Sequence, residues 1–140
     1  MQANKDIQEE LRLWQSDFFD PSTIEQVKAL SKDPKSLEDA FYKDLEFGTG
    51  GMRGLMGVGP NRINTYTLGR NSQGIANYLK KKYPGQDLSV AIAYDCRHQS
   101  DSLAQTVALV FSANDIQVHL FPSLRSTPAL SFSVKYLGCQ

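Results

Sequence analysis

Up to Leu45, apolar residues recur at the spacing of a helix. Ile7, Leu11, Trp14 and Phe18 fall at i, i+4, i+7 and i+11, with polar residues between them, and so mark one face. Asp20-Pro21 reads as an N-cap followed by proline at the first helical position, and Ile24, Val27 and Leu30 continue as the stripe of a second helix. Ser36-x-x-Asp39 has the form of a capping box for a third helix that buries Leu37, Phe41 and Leu45. These stripes are narrow, so the three helices are expected to pack on the rest of the chain through Trp14, Phe18 and Phe41.

From residue 46 the pattern changes. The glycine-rich stretch predicts two short strands around a turn at Gly59-Pro60-Asn61. Leu68, Ser72, Ile75, Ala76, Leu79 and Tyr83 then mark a helix that Pro84-Gly85 ends. "SVAIAY" (89–94) is an unbroken apolar run, as in a strand covered on both faces. "DCRHQS" follows as a loop, Leu103, Val107, Val110 and Phe111 trace another helix, and "IQVHLF" (116–121) another strand. Thr127-Pro128 opens a last helix through Leu130, Val134 and Leu137. Strands alternating with helices at this spacing predict an α/β sheet with helices on both faces.

Length and composition narrow the class. At 140 residues, 41% hydrophobic and 21% charged, the chain is long and apolar enough for a packed core. No apolar run approaches the ~18 residues that span a bilayer, so no membrane partner is expected. The polar, acidic start is unlike a secretory signal. Two cysteines, Cys96 and Cys139, suit a reduced, cytoplasmic chain better than a disulfide scaffold. Two histidines, His98 and His119, have no ligand at metal-site spacing, so no metal site is expected in this stretch. His119 reads as a packed or edge side chain in a strand, and His98 as a surface residue.

Net charge is zero but uneven. Residues 1–45 carry six Lys/Arg against ten Asp/Glu, and residues 46–140 carry nine against five. A basic larger part in a neutral whole suits a small anionic substrate. Nucleic acid would need a broader basic stripe, and Lys80-Lys81-Lys82 reads as a solvated helix end.

The chemistry concentrates in "FGTGGMRGLMGVGPNRIN" (47–64), which holds six of the ten glycines, two arginines and no acidic residue. Successive N–H groups in a glycine turn form a concavity suited to anions, and an arginine fork matches phosphate. Arg53 with the N–H groups of Thr49, Gly50 and Gly51 is therefore a candidate phosphate site. The other reading of the same residues is a glycine-rich hairpin with a solvated arginine. Ligands of an α/β sheet sit beyond the carboxyl ends of the strands, which puts Arg97 and Arg125 on one rim as secondary candidates. Asp95 either holds Arg97 or caps the following helix. A dinucleotide fingerprint fails because position 53 is arginine, and neither a Walker A sequence nor a Gly-x-Ser-x-Gly elbow occurs.

"LEFGTGGMRGLMGVGPNRIN" resembles the opening motif of the α-D-phosphohexomutases, the phosphoglucomutase/phosphomannomutase superfamily, where F-G-T-A/S-G-x-R-G precedes a G-x-N-x-x-N hairpin. "IAYDCRHQS" is similar to the next landmark, a strand ending in Asp-x-Arg and then serine. "LFPSLRSTPALSFSVKYLG" is similar to the third, a strand followed by Thr-Pro and a helix. Gly50 departs from the pattern, which has alanine or serine there. The segment before Leu45 resembles the branch of phosphoglucomutase-2-like enzymes and phosphopentomutases.

The resemblance implies a three-layer α/β/α sandwich with a mixed sheet over residues 46–140, the first of four domains, preceded by a helical extension over 1–45. It implies transfer of a phosphoryl group between the 1-position and the terminal hydroxyl of a sugar phosphate, through a phosphoserine and a sugar bisphosphate, with Mg²⁺ assisting. Arg53 matches the arginine the family places near the transferring group. The family's Ser-His-Asn loop does not occur in this sequence, and its metal loop belongs to a later domain. The expectation is an N-terminal piece without the nucleophile, inactive alone, whose partners are a phosphosugar and the remaining domains. The sugar stays open among glucose, mannose and pentose phosphates. The alternative is a stand-alone phosphate-binding α/β module without catalysis.

Overall fold

Aspartates start the first three helices. In the computed structural model, which describes residues 6–140, α1 (Ile7–Trp14) is capped by Asp6, α2 (Pro21–Leu30) by Asp20 and α3 (Pro34–Phe41) by Asp33. Each carboxylate accepts N–H groups of the first turn that the helix itself leaves unpaired. The start of α3 differs from the sequence expectation. Asp33-Pro34 supplies both the cap and a first residue that needs no acceptor, so Ser36 lies inside the helix and donates its hydroxyl to Asp33 at 2.6 Å.

The aromatic expectation is half corrected. α1 stops at Trp14, so the helical spacing that would align Phe18 with Trp14 is broken and Phe18 is 80% exposed. Phe19 takes its place, stacked on Trp14 with ring centroids 4.5 Å apart. Phe41 and Tyr66 meet the same indole edge-on, each at 5.8 Å. Leu11, Trp14, Val27, Ala40 and Phe41 form the core of this unit, with Val58 and Tyr66 packed against it. The helices thus bury their stripes on the 58–66 segment of a compact unit that runs up to Thr67.

Within that unit the strands lie earlier than expected. β1 (Phe47–Gly48) and β2 (Gly51–Met52) pair antiparallel about Thr49-Gly50, with Gly48 opposite Gly51. Gly51 has φ +95, which glycine adopts readily and other residues resist. The turn at Gly59-Pro60-Asn61 joins no strands, only an isolated bridge between Met56 and Ile63. Its backbone is committed elsewhere: the Leu45 N–H donates to the Pro60 carbonyl at 2.8 Å, and the Asn61 N–H donates to the Ala40 carbonyl at 3.0 Å. Asn64 caps α4 (Thr65–Lys82) by accepting from the Tyr66 and Thr67 N–H groups, while its amide donates to the Gly57 and Gly59 carbonyls.

The second compact unit is Leu68–Gln140. It holds most of α4, then β3 (Ser89–Ile92), α5 (Ser100–Ala113), β4 (Gln117–Leu120) and α6 (Thr127–Leu137). β3 and β4 pair in parallel, from Ser89 opposite Gln117 to Ile92 opposite Leu120. Parallel strands require a crossover, which α5 supplies. Ala76 and Leu79 of α4, Phe111 of α5, and Leu88 and Ile116 at the strand entries form this unit's core. Val90, Ile92, Val107 and Val118 pack on it, and α6 lies against β3. β3 itself is half-buried throughout, not fully covered as its unbroken apolar run suggests. The fold is α/β, with six helices and both parallel and antiparallel strand pairs among the described residues.

Candidate phosphate-binding site

The glycine turn and Arg53 come together locally. A Cβ built on Gly50 would lie 3.2 Å from a terminal nitrogen of Arg53 and 3.9 Å from its Cζ, so the guanidinium is folded back over the turn. Arg53 is exposed and, among the described residues, makes no hydrogen bond or ion pair. The Thr49 and Gly50 N–H groups likewise make no hydrogen bond among the described residues. An unpartnered planar cation beside unpartnered main-chain donors can take a dianion without first breaking another contact.

Two other glycines of the stretch serve packing. A Cβ on Gly54 would meet Leu45 at 2.7 Å, and one on Gly59, where φ is +114, would meet the Ala40 carbonyl oxygen at 2.7 Å. Arg62, the second arginine, is spent on structure. It pairs with the Asp39 carboxylate and donates to the Asp39 carbonyl at 3.2 Å. Asn61 donates to the same carbonyl at 2.8 Å. Asn61, Arg62 and Asn64 thus form a frame under the turn that the sequence reading did not assign. The Asn64–Thr67 cap was legible as an asparagine ahead of an apolar periodic run; the Arg62–Asp39 pair, 23 positions apart, had no sequence signal.

Arg97 and Arg125 lie in the second unit. The loops after β3 and β4 leave the same end of the parallel pair, and the Arg125 N–H donates to the Tyr94 carbonyl at 3.1 Å. Both side chains already have partners. Arg97 Nε donates to the two Asp95 carboxylate oxygens at 3.0 and 2.9 Å. That bond holds the Asp95 carboxyl below its ordinary range and raises the arginine's own pKa. Asp95 therefore holds Arg97, while Gln99 stands at the N-cap of α5 and makes no side-chain capping bond. Arg125 donates to Ser123 Oγ and to the Leu124 carbonyl, each at 2.7 Å, and lies over the Phe121 ring at 5.3 Å. His98 is exposed in its loop, and His119 is half-buried in β4 opposite Ala91.

Among the described residues no three His, Cys, Asp or Glu side chains come together as metal ligands. No described helix is long and apolar enough to cross a membrane.

The family described as phosphoglucomutase/phosphomannomutase, alpha/beta/alpha domain I, matches residues 44–140. The chain belongs to this family. Its match begins just before β1 and so contains the glycine turn, Arg53 and both rim loops. The chain is 44% identical over 100 residues to a phosphoglucomutase of Staphylococcus haemolyticus, an alignment covering 71% of this chain and 18% of that protein. It is 36% identical over 121 residues to a phosphoglucomutase of Staphylococcus epidermidis, covering 86% and 20%. It is also 36% identical over 122 residues to a probable phosphoribomutase of Schizosaccharomyces pombe, covering 85% and 21%. The chain spans about a fifth of the length of these phosphomutase relatives. No solved structure gives a significant match.

Proposed function

We propose that the chain is the first domain of a phosphosugar mutase, and that Arg53 and the Thr49–Gly51 main chain bind a phosphoryl group of its substrate. The observation that carries this reading is the unpartnered Arg53 guanidinium lying over a turn with unpartnered N–H groups. The reaction is transfer between the 1-position and the terminal hydroxyl of a sugar phosphate, through a phosphoserine and a bisphosphorylated sugar. The terminal position is 6 for a hexose and 5 for a pentose, in keeping with relatives named phosphoglucomutase and probable phosphoribomutase. We place the enzyme in the cytoplasm, where Cys96 and Cys139, both free, stay reduced.

In this mechanism the chain's own residues bind and orient. Phosphoryl transfer spreads charge over three oxygens, and fixed donors aimed at that charge lower the barrier without reorganising. Arg53 supplies a two-pronged cation and the turn supplies directional N–H donors. Neither accepts a phosphoryl group; in this reading the nucleophile, and a Mg²⁺ ion that would supply charge neutralisation, would come from other parts of the enzyme. Arg97 and Arg125, on the second unit, are secondary candidates for an anion, and each would have to leave its present partners to take one.

The test is Arg53→Lys in the full-length enzyme. Lysine keeps the charge but loses the fork, and kcat should fall by about 10²–10³, as for loss of an oxyanion donor. Turnover near that of the wild type overturns the assignment.

A further inference from the structure

We infer that Asp39, near the end of α3, is a positioning residue for the phosphate turn: it fastens the stretch of chain on which both feet of the β1–β2 hairpin stand. The inference rests on the reading that Arg53 and the turn bind phosphate. A hairpin of two-residue strands is too short to hold its own place. Its two feet are tied instead to residues 60–63. On the entering side the Leu45 N–H donates to the Pro60 carbonyl at 2.8 Å, and on the leaving side the Ile63 N–H donates to the Leu55 carbonyl at 2.8 Å. Asn61 and Arg62 lie between these two bonds.

Both of those residues are bound to α3. A helix leaves its last carbonyls without intrahelical donors. Here the Asp39 carbonyl accepts from the Asn61 side-chain amide at 2.8 Å and from Arg62 at 3.2 Å, and the Ala40 carbonyl accepts from the Asn61 N–H at 3.0 Å. The Asp39 carboxylate adds the counter-ion of Arg62. The Arg62 side chain is only 12% exposed, so without that carboxylate its charge is left nearly buried and must turn toward water. Residues 60–63 then lose part of their hold, and the two feet of the hairpin with them. α3 precedes residue 44, where the family match begins, so a helix outside the matched domain fixes the place of the turn inside it. Charge alone predicts the reverse effect, because removing a carboxylate favours anion binding.

The test measures inorganic phosphate binding to the 140-residue chain from amide and arginine Nε–H shifts, with a urea melt of each variant alongside. Asp39→Ala should weaken phosphate binding severalfold. Asp33→Ala, which removes the cap at the other end of α3, should lower the urea midpoint yet leave phosphate binding within twofold of the wild type. Equal weakening by the two variants means a general loss of stability and overturns the inference. So does Asp39→Ala binding like the wild type while Arg53→Gln binds worse, which leaves the phosphate reading standing. A wild-type chain that does not respond to phosphate, or whose response Arg53→Gln does not reduce, overturns both. Arg62→Lys, which keeps the charge but loses the fork, serves with the same expectations if Asp39→Ala does not fold.

Discussion

Two glycines show how position decides what a missing side chain is worth. Gly59 combines φ +114 with a main-chain oxygen, that of Ala40, 2.7 Å from where its Cβ would be. Gly59→Ala should therefore destabilise by at least the roughly 1–3 kcal/mol of a strained backbone, read as a lower urea midpoint at unchanged slope. Gly74 sits inside α4 with open space around its Cβ direction. Gly74→Ala should stabilise by about 0.5–1 kcal/mol in the same measurement. Asp20 gives a residue-scale pH dependence. Its carboxylate accepts from the Thr23 hydroxyl and the Tyr66 hydroxyl, both at 2.6 Å, and from the Thr23 N–H, which lowers its pKa to about 2. A folded-state pKa below the unfolded value of about 3.9 gives stability that is present above pH 4 and is lost as pH falls toward 2. Asp20→Asn should flatten the pH dependence of unfolding across that window and leave the higher range unchanged in slope.

At the scale of elements, the end of α1 decides which phenylalanine matters. Helical spacing marks Phe18, but the helix stops at Trp14 and the turn that follows delivers Phe19 to the indole. Phe19→Ala should cost roughly 1–3 kcal/mol, less than the ~3–5 typical of a fully buried phenylalanine because Phe19 is half-buried. Phe18→Ala should change stability by no more than about 0.5 kcal/mol. Both values are read from denaturant melts of the single variants. The three helices act together on Val58 and Tyr66, so a chain starting near Leu45 should melt at lower temperature and aggregate. Unchanged melting and solubility in that truncation would mean the helices are a separate docking arm.

For the whole molecule, the proposed function makes a negative prediction. The 140-residue chain by itself should show no mutase turnover with glucose 1-phosphate, glucose 1,6-bisphosphate and Mg²⁺ in a coupled assay. Arg53 and the turn neutralise charge but have no group that accepts phosphoryl, and a lone serine hydroxyl without base or metal is a poor nucleophile. Sustained turnover above the host background would identify a nucleophile within these residues and would require a different mechanism.

What could be read from the sequence was local. Asp20-Pro21 marks a helix start because cap acceptor and preset φ lie in adjacent residues; the same holds for Asp33-Pro34, which the Ser36 capping-box reading passed over. The order of strands and helices after residue 64 follows from periodicity, because burial of one face imposes it along the chain. Glycine richness beside Arg53, together with the order of three motifs, carried the family, which the match over residues 44–140 shows. The tertiary structure decided the rest, because those choices depend on partners far apart in the chain. Ala40 dictates that Gly59 is a packing glycine, Asp39 takes Arg62 out of contention as a phosphate ligand, and the indole of Trp14 selects Phe19 over Phe18. Composition placed two arginines in one glycine-rich stretch; only the fold, by giving Arg62 a carboxylate and Arg53 none among the described residues, separates the strut from the candidate ligand.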